Sequence, residues 1–106
     1  MPTISKTSDC QTVITTFEVT PSTCQDLLEA LTDAYEHFIR HQPGFIAAAI
    51  HVNDAQCRIA NYSQWKDRSD FQAMLRTPEM RERNRHIGTL CKGFEPVMYD
   101  VVESFD

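Results

Sequence analysis

The stretch from Phe45 to Trp65 restricts the fold more than any other part of this chain. Phe45-Ile46-Ala47-Ala48-Ala49-Ile50-His51-Val52 is a run of β-branched, aromatic and small apolar residues, and Arg58 to Trp65 alternates side-chain character with a period of two. Between them, Asn53-Asp54-Ala55-Gln56 is turn-like, because Asn and Asp bond their own backbone and tolerate unusual dihedrals. Two strands joined by a short polar turn are predicted. In a regular hairpin with Val52 near Arg58, Ala49 faces Asn61, Ala47 faces Ser63 and Phe45 faces Trp65. Antiparallel partners point to the same side of a sheet. One side then carries Ala47, Ala49, His51, Asn61, Ser63 and Trp65, and the other Ile46, Ala48, Ile50, Val52, Ala60 and Tyr62. Small side chains leave space and polar ones look into it, which is what a ligand pocket needs. The same pattern also fits a core face with satisfied polar groups, or a half-solvated face. A bulge would move one strand's set to the other face.

At 106 residues the chain is long enough for one domain with a real core. A formal charge of −5, with no basic run interleaved with aromatics, argues against nucleic acid or an anionic membrane as partner. No segment approaches ~18 apolar residues, so none is expected to cross a membrane. Cys10, Cys24, Cys57 and Cys91 form no CxxC and stand at no zinc-site spacing from a histidine. With no signal-peptide pattern at the N-terminus, they read as reduced thiols of a cytoplasmic protein. No metal site is expected.

Residues 1–9 read as a flexible tail, and 10–106 as a single domain. Cys10 to Thr20 alternates, with Val13, Thr15, Phe17 and Val19 on one side. Thr20-Pro21 starts a helix, with Ser22 and Gln25 as a competing capping box. Leu27, Leu28, Leu31, Ala34, Tyr35, Phe38 and Ile39 form its apolar stripe, and Gln42-Pro43-Gly44 stops it. His37 and His41, one turn apart beside the polar side, read as solvated residues near a helix C-terminus. Ser69-x-x-Gln72 is a capping pattern before Phe71, Met74 and Leu75, and Thr77-Pro78 restarts a helix that runs to Cys91. Arg76, Arg81, Arg83 and Arg85 read as a solvated face paired with nearby acids. Phe94 to Phe105 is a last strand, with Phe94, Met98 and Val102 on one side and Val97, Tyr99 and Val101 on the other.

This order predicts a ferredoxin-like βαββαβ arrangement of the α+β class, with helices on one face of an antiparallel sheet. The helix-free face is expected to expose Ile46, Ile50, Val52 and Tyr62. Monomers rarely leave so contiguous a patch in water, so a homodimer packed through that face is expected.

Pro43-Gly44-Phe45, the strand ending in His51, Asn61-Tyr62-Ser63-Gln64-Trp65, Phe71 and the Thr77-Pro78 restart resemble the antibiotic biosynthesis monooxygenase family. Within that family they are most similar to the cofactor-free anthrone oxygenases of aromatic polyketide pathways, from about Thr12 to Tyr99. The resemblance implies a dimeric α/β barrel with a pocket between sheet and helices in each subunit. It implies oxidation of an anthrone, phenolic or quinol-type ring to a quinone by O2, without metal, flavin or other cofactor. On that reading Asn61 hydrogen-bonds the substrate oxygen where negative charge develops, Trp65 stacks on the ring, and His51 holds or relays a proton. Phe38, Phe71 and Met74 form the apolar wall, and Ala47 and Ala49 leave room for the ring. Phe71 occupies the place of a tyrosine proton donor, and Asn84 is nearest in register to a helical arginine. Heme-degrading relatives need an Asn on the first strand and a His in the second helix, where this chain has Thr15 or Thr16 and Met74.

The leading expectation is therefore a monooxygenase acting on a small aromatic substrate and O2. A non-oxidative isomerase or lyase on the same scaffold, and a small-molecule-binding dimer without catalysis, are the alternatives, because one fold of this type hosts many functions.

Overall fold

In the computed structural model, which describes residues 3–4 and 9–105, the elements follow the predicted order. They are β1 (Gln11–Glu18), α1 (Pro21–His37), a 3-10 turn (Ile39–His41), β2 (Phe45–Val52), β3 (Arg58–Trp65), α2 (Arg68–Arg76), α3 (Pro78–Gly88) and β4 (Gly93–Tyr99). The sheet is antiparallel in the order β2-β3-β1-β4. This is the ferredoxin-like α+β arrangement. Most of the expected tail lies outside the described residues. Of its described part, Thr3 bonds Gln64, its N–H donating to Oε1 at 3.3 Å and its carbonyl accepting from Nε2.

Local chemistry explains most of the boundaries. Pro21 opens α1, although the Thr20 side chain makes no cap and bonds Ser22 instead. The Ser69 capping pattern is not used either, since α2 already begins at Arg68. Thr77 does cap α3, accepting from the Met80 N–H at 3.2 Å, and Pro78 supplies the preset first turn. Gly44 turns the chain into β2 with φ of +84°, and a Cβ there would overlap the Asp70 side chain of α2. Only glycine satisfies both conditions. The last strand is shorter than predicted, because pairing with β1 ends at Tyr99.

The hairpin departs from its predicted register. Asn53 Oδ1 accepts from the Cys57 and Arg58 N–H groups at 3.0 and 2.9 Å, while the Asn53 N–H donates to the Arg58 carbonyl. Gln56 takes a left-handed φ of 56° to complete the turn. Arg58 is thereby drawn opposite Asn53, and Val52 meets Ile59 instead. Ile50 pairs with Asn61, His51 with Ala60, Ala49 with Tyr62 and Ala47 with Gln64. A bulge between Phe45 and Ala47 absorbs the offset, so Phe45 still faces Trp65 as expected. The predicted faces are corrected accordingly. Ala48 and Ile50 share the helix side with Asn61, Ser63 and Trp65. Ala47, Ala49 and His51 share the helix-free side with Ala60, Tyr62 and Gln64.

Two buried clusters lie between sheet and helices. One gathers Val13, Ala34, Ile39, Trp65, Phe71, Met74 and Met80, and the other Phe17, Val19, Cys24, Leu27, Leu31, Ile59 and Ile87. Arg83 of α3 ties that helix to α1 through Asp33 at 2.8 Å and bonds Glu79 at 3.0 Å. The hydrogen bond from Arg83 holds the Asp33 carboxyl below its ordinary pKa. His37 faces Asp33 at 3.4 Å, and His41 Nε2 meets the Glu36 carbonyl at 3.0 Å, so the two histidines serve separate partners.

Candidate active site

The two clusters do not merge. Between them lies a cavity of about 190 Å³, lined by residues of both. Its floor is the inward face of β1 and β3, where Thr15 pairs directly with Asn61 and Ser63 follows along the strand. Leu31, Tyr35 and Ile39 close one side from α1 and its extension. Phe71, Met74, Leu75, Met80, Asn84 and Ile87 come from α2 and α3, and Phe94 and Pro96 from β4. Among these lining residues none is a carboxylate, lysine, arginine or histidine. The cavity is thus an uncharged apolar chamber with a polar floor, the composition that ligand sites favour.

Asn61 is the centre of that floor. It is only 7% exposed, and its Nδ2 donates to the Tyr35 hydroxyl at 2.6 Å. Its Oδ1 is fully buried and has no hydrogen-bond partner. Leaving such an acceptor unpaired costs ~1–3 kcal/mol, so the arrangement is not a product of packing economy alone. Burial pushes the Tyr35 phenol above its ordinary pKa, with Asn61 and Ser63 opposing that rise. Ser63 donates to the Val13 carbonyl at 3.5 Å and accepts from Trp65 Nε1 at 3.2 Å.

Of the residues singled out from sequence, the structure brings Asn61, Phe71 and Met74 to the cavity. It corrects five others. His51 is exposed on the helix-free side, its Nδ1 3.2 Å from the Ala60 carbonyl, because the Asn53 turn advanced its strand by one residue. The same shift turns Ala47 and Ala49 away, and they border an open groove between β2 and α1. Trp65 faces the helices as expected but is 0% exposed and does not reach the cavity. Phe45 and Phe71 clasp it edge-on, with ring centroids 5.4 and 5.6 Å away. Phe38 packs against the first cluster and stops short of the cavity wall.

Sequence reasoning missed Tyr35 and Thr15 as site residues. Both carry a readable signal, a hydroxyl on an otherwise apolar inward face, since a buried phenol normally needs a partner. Asn84, identified only by register, does line the cavity.

Comparison with known proteins agrees with this geometry. The chain is 31% identical over 105 residues to tetracenomycin-F1 monooxygenase of Streptomyces glaucescens, covering 99% of this chain and 93% of that one. It superposes on the ActVA-Orf6 monooxygenase of Streptomyces coelicolor, solved in complex with nanaomycin D, with a TM-score of 0.80 at 24% identity over 91% of this chain and 90% of the other. SnoaB of Streptomyces nogalater, a cofactor-independent oxygenase, matches with a TM-score of 0.73 at 17% identity over 92% and 97%. Residues 11–85 match the antibiotic biosynthesis monooxygenase pattern over most of the domain, and the chain belongs to that family.

Proposed function

We propose that this protein is a cofactor-independent monooxygenase that oxidises an anthrone, phenolic or quinol-type aromatic ring with O2 to a quinone. The observation that carries the reading is the partly open, mainly apolar cavity with the carboxamide of Asn61 on its polar floor. One oxygen atom of O2 becomes the new ring carbonyl and the other leaves as water; with an anthrone the water takes both hydrogens of the methylene carbon, and with a phenolic ring it takes one hydrogen from the ring carbon and one from the hydroxyl. The substrate supplies the electrons, so the protein's part is orientation and exclusion of water. Asn61 and Thr15 hold the ring oxygen against the floor, and Phe71, Met74 and Met80 cover the ring. The cavity is smaller than the ~300–1,000 Å³ typical of ligand sites. The flexible thioethers of Met74 and Met80 are suited to give way to a fused-ring substrate.

The experiment is O2 uptake by metal-free protein with a panel of anthrones and hydroquinones, beside Asn61→Ala. Uptake that falls at least about tenfold in the variant supports the reading. Equal turnover of a carbonyl substrate under anaerobic conditions, or no uptake above background, overturns it.

We further propose a homodimer through the helix-free face, where Val97 and Tyr99 are exposed and Ile14, Tyr62, Ala47, Ala49 and Ala60 are only half-buried in one chain. Sedimentation equilibrium giving a monomer at micromolar concentration would remove this proposal. The free thiols of Cys24, Cys57 and Cys91 fit a reducing cytoplasmic setting for this protein, and no helix among the described residues is long and apolar enough to cross a membrane.

A further inference from the structure

Strand pairing lays one row of residues across the inward face of the sheet. Ile50 of β2 pairs with Asn61 of β3, Asn61 with Thr15 of β1, and Thr15 with Pro96 of β4. Directly paired residues of antiparallel strands share one side of the sheet. The row is therefore a continuous surface, yet the space above it is divided. Asn61, Thr15 and Pro96 line the cavity. Ile50 lines the groove between β2 and α1, which holds about 380 Å³. The next row repeats the division, for Ala48 borders the groove and its partner Ser63 borders the cavity. Among the described residues, Tyr35 alone lines both spaces.

Tyr35 is held firmly on that border. Its ring packs against the first buried cluster and lies tilted against Phe45, with centroids 6.0 Å apart. Its hydroxyl accepts from Asn61 Nδ2 at 2.6 Å, which ties the tip of the side chain to the sheet. A ring fixed at its tip and along its flank is a partition, not a swinging door. We propose that Tyr35 is a specificity-determining residue, the end wall that stops a linear fused-ring ligand at Asn61 and denies it the floor offered by β2. This rests on the reading that the cavity takes an aromatic ring, and it adds how long that ring system can be. The volumes support it. The cavity, at about 190 Å³, falls below the ~300–1,000 Å³ usual for ligand sites, whereas the groove falls within it. Room for a longer ligand thus exists in line with the cavity floor, kept open by the small Ala48 and closed off by one side chain. Each further ring crossing the border would bury more apolar surface, so affinity would rise with length if the wall were absent.

The test is equilibrium binding under anaerobic conditions, which separates it from any failure of the oxygen chemistry. The probes are 2-naphthol and 2-hydroxytetracene, titrated singly and in competition so that both report on one site. On the wild type the longer ligand should bind no tighter than the naphthol, despite its greater apolar surface. In Tyr35→Ala the affinity ratio of the longer to the shorter ligand should rise by about tenfold or more. Adding Ala48→Leu to Tyr35→Ala refills the groove and should return the ratio to within about twofold of the wild type. Tyr35→Leu, which also lacks a ring to reach Asn61, serves if Tyr35→Ala fails to fold. A wild type that binds the longer ligand more tightly, a ratio unchanged by the Tyr35 substitution, or a gain that survives Ala48→Leu overturns the proposal. Binding of neither probe overturns the aromatic-ring reading and the proposal with it.

Discussion

Replacing Trp65 with phenylalanine separates a residue that touches the ligand from one that holds the floor in place. The indole is fully buried, bonds Ser63 Oγ at 3.2 Å and sits edge-on between Phe45 and Phe71. Losing the hydrogen bond costs about 1 kcal/mol. The smaller ring leaves a void and weakens two aromatic contacts worth ~0.5–1.5 kcal/mol each when fully formed. Together these give a loss of about 2–3 kcal/mol. At ~4–8 °C per kcal/mol for a domain of this size, Tm should fall by roughly 10–20 °C. Thermal and urea unfolding followed by near-UV circular dichroism would measure it, with naphthol binding assayed well below the lowered Tm. Binding should weaken only modestly, because the altered side chain does not border the cavity. An unchanged Tm combined with complete loss of ligand binding would show that the indole stacks on the ligand, and the placement argued above would be wrong.

Three further outcomes follow from the geometry. His51→Ala should leave kcat within about twofold and stability within ~0.5 kcal/mol, since the imidazole is exposed on the helix-free side; a tenfold loss of turnover would restore it to the chemistry. Gly44→Ala should cost ~2–4 kcal/mol in urea unfolding, because a left-handed φ of +84° and overlap with Asp70 act together; adding Asp70→Ala should recover less than half, as the overlapped Asp70 Cβ remains. Burial raises the Tyr35 pKa above its unfolded value, so the folded state favours the neutral phenol, and this share of stability is complete below pH ~10 and lost as pH rises through the folded value. Unfolding midpoints above pH 10 should therefore decline more steeply for the wild type than for Tyr35→Phe, and parallel curves would count against a buried phenol.

The order of elements was legible because periodicity and stop signals are local. The alternation of β1 and β3, the apolar stripe of α1 and the Pro43-Gly44 and Thr77-Pro78 breaks each report on a few neighbouring residues. Asn61 was legible for a related reason, since a carboxamide on an inward strand position is conspicuous. The partners of β2 were not legible. They depend on how Asn53 Oδ1 gathers two backbone N–H groups and on a compensating bulge at Phe45, and a shift of one residue exchanges entire faces. That shift removed His51, Ala47 and Ala49 from the site while keeping Phe45 opposite Trp65.

By itself, then, the sequence determined the layers, the strand order and the inward carboxamide, all of which follow from local chemistry repeated along the chain. Only the tertiary structure decided what that carboxamide can do. The Tyr35 hydroxyl that accepts from its Nδ2 comes from a helix 26 positions earlier in the chain, and the Ser63 hydroxyl that accepts from Trp65 lines the same cavity floor. Hydrogen-bond polarity is a property of a closed network in space, and no single segment of the chain contains it.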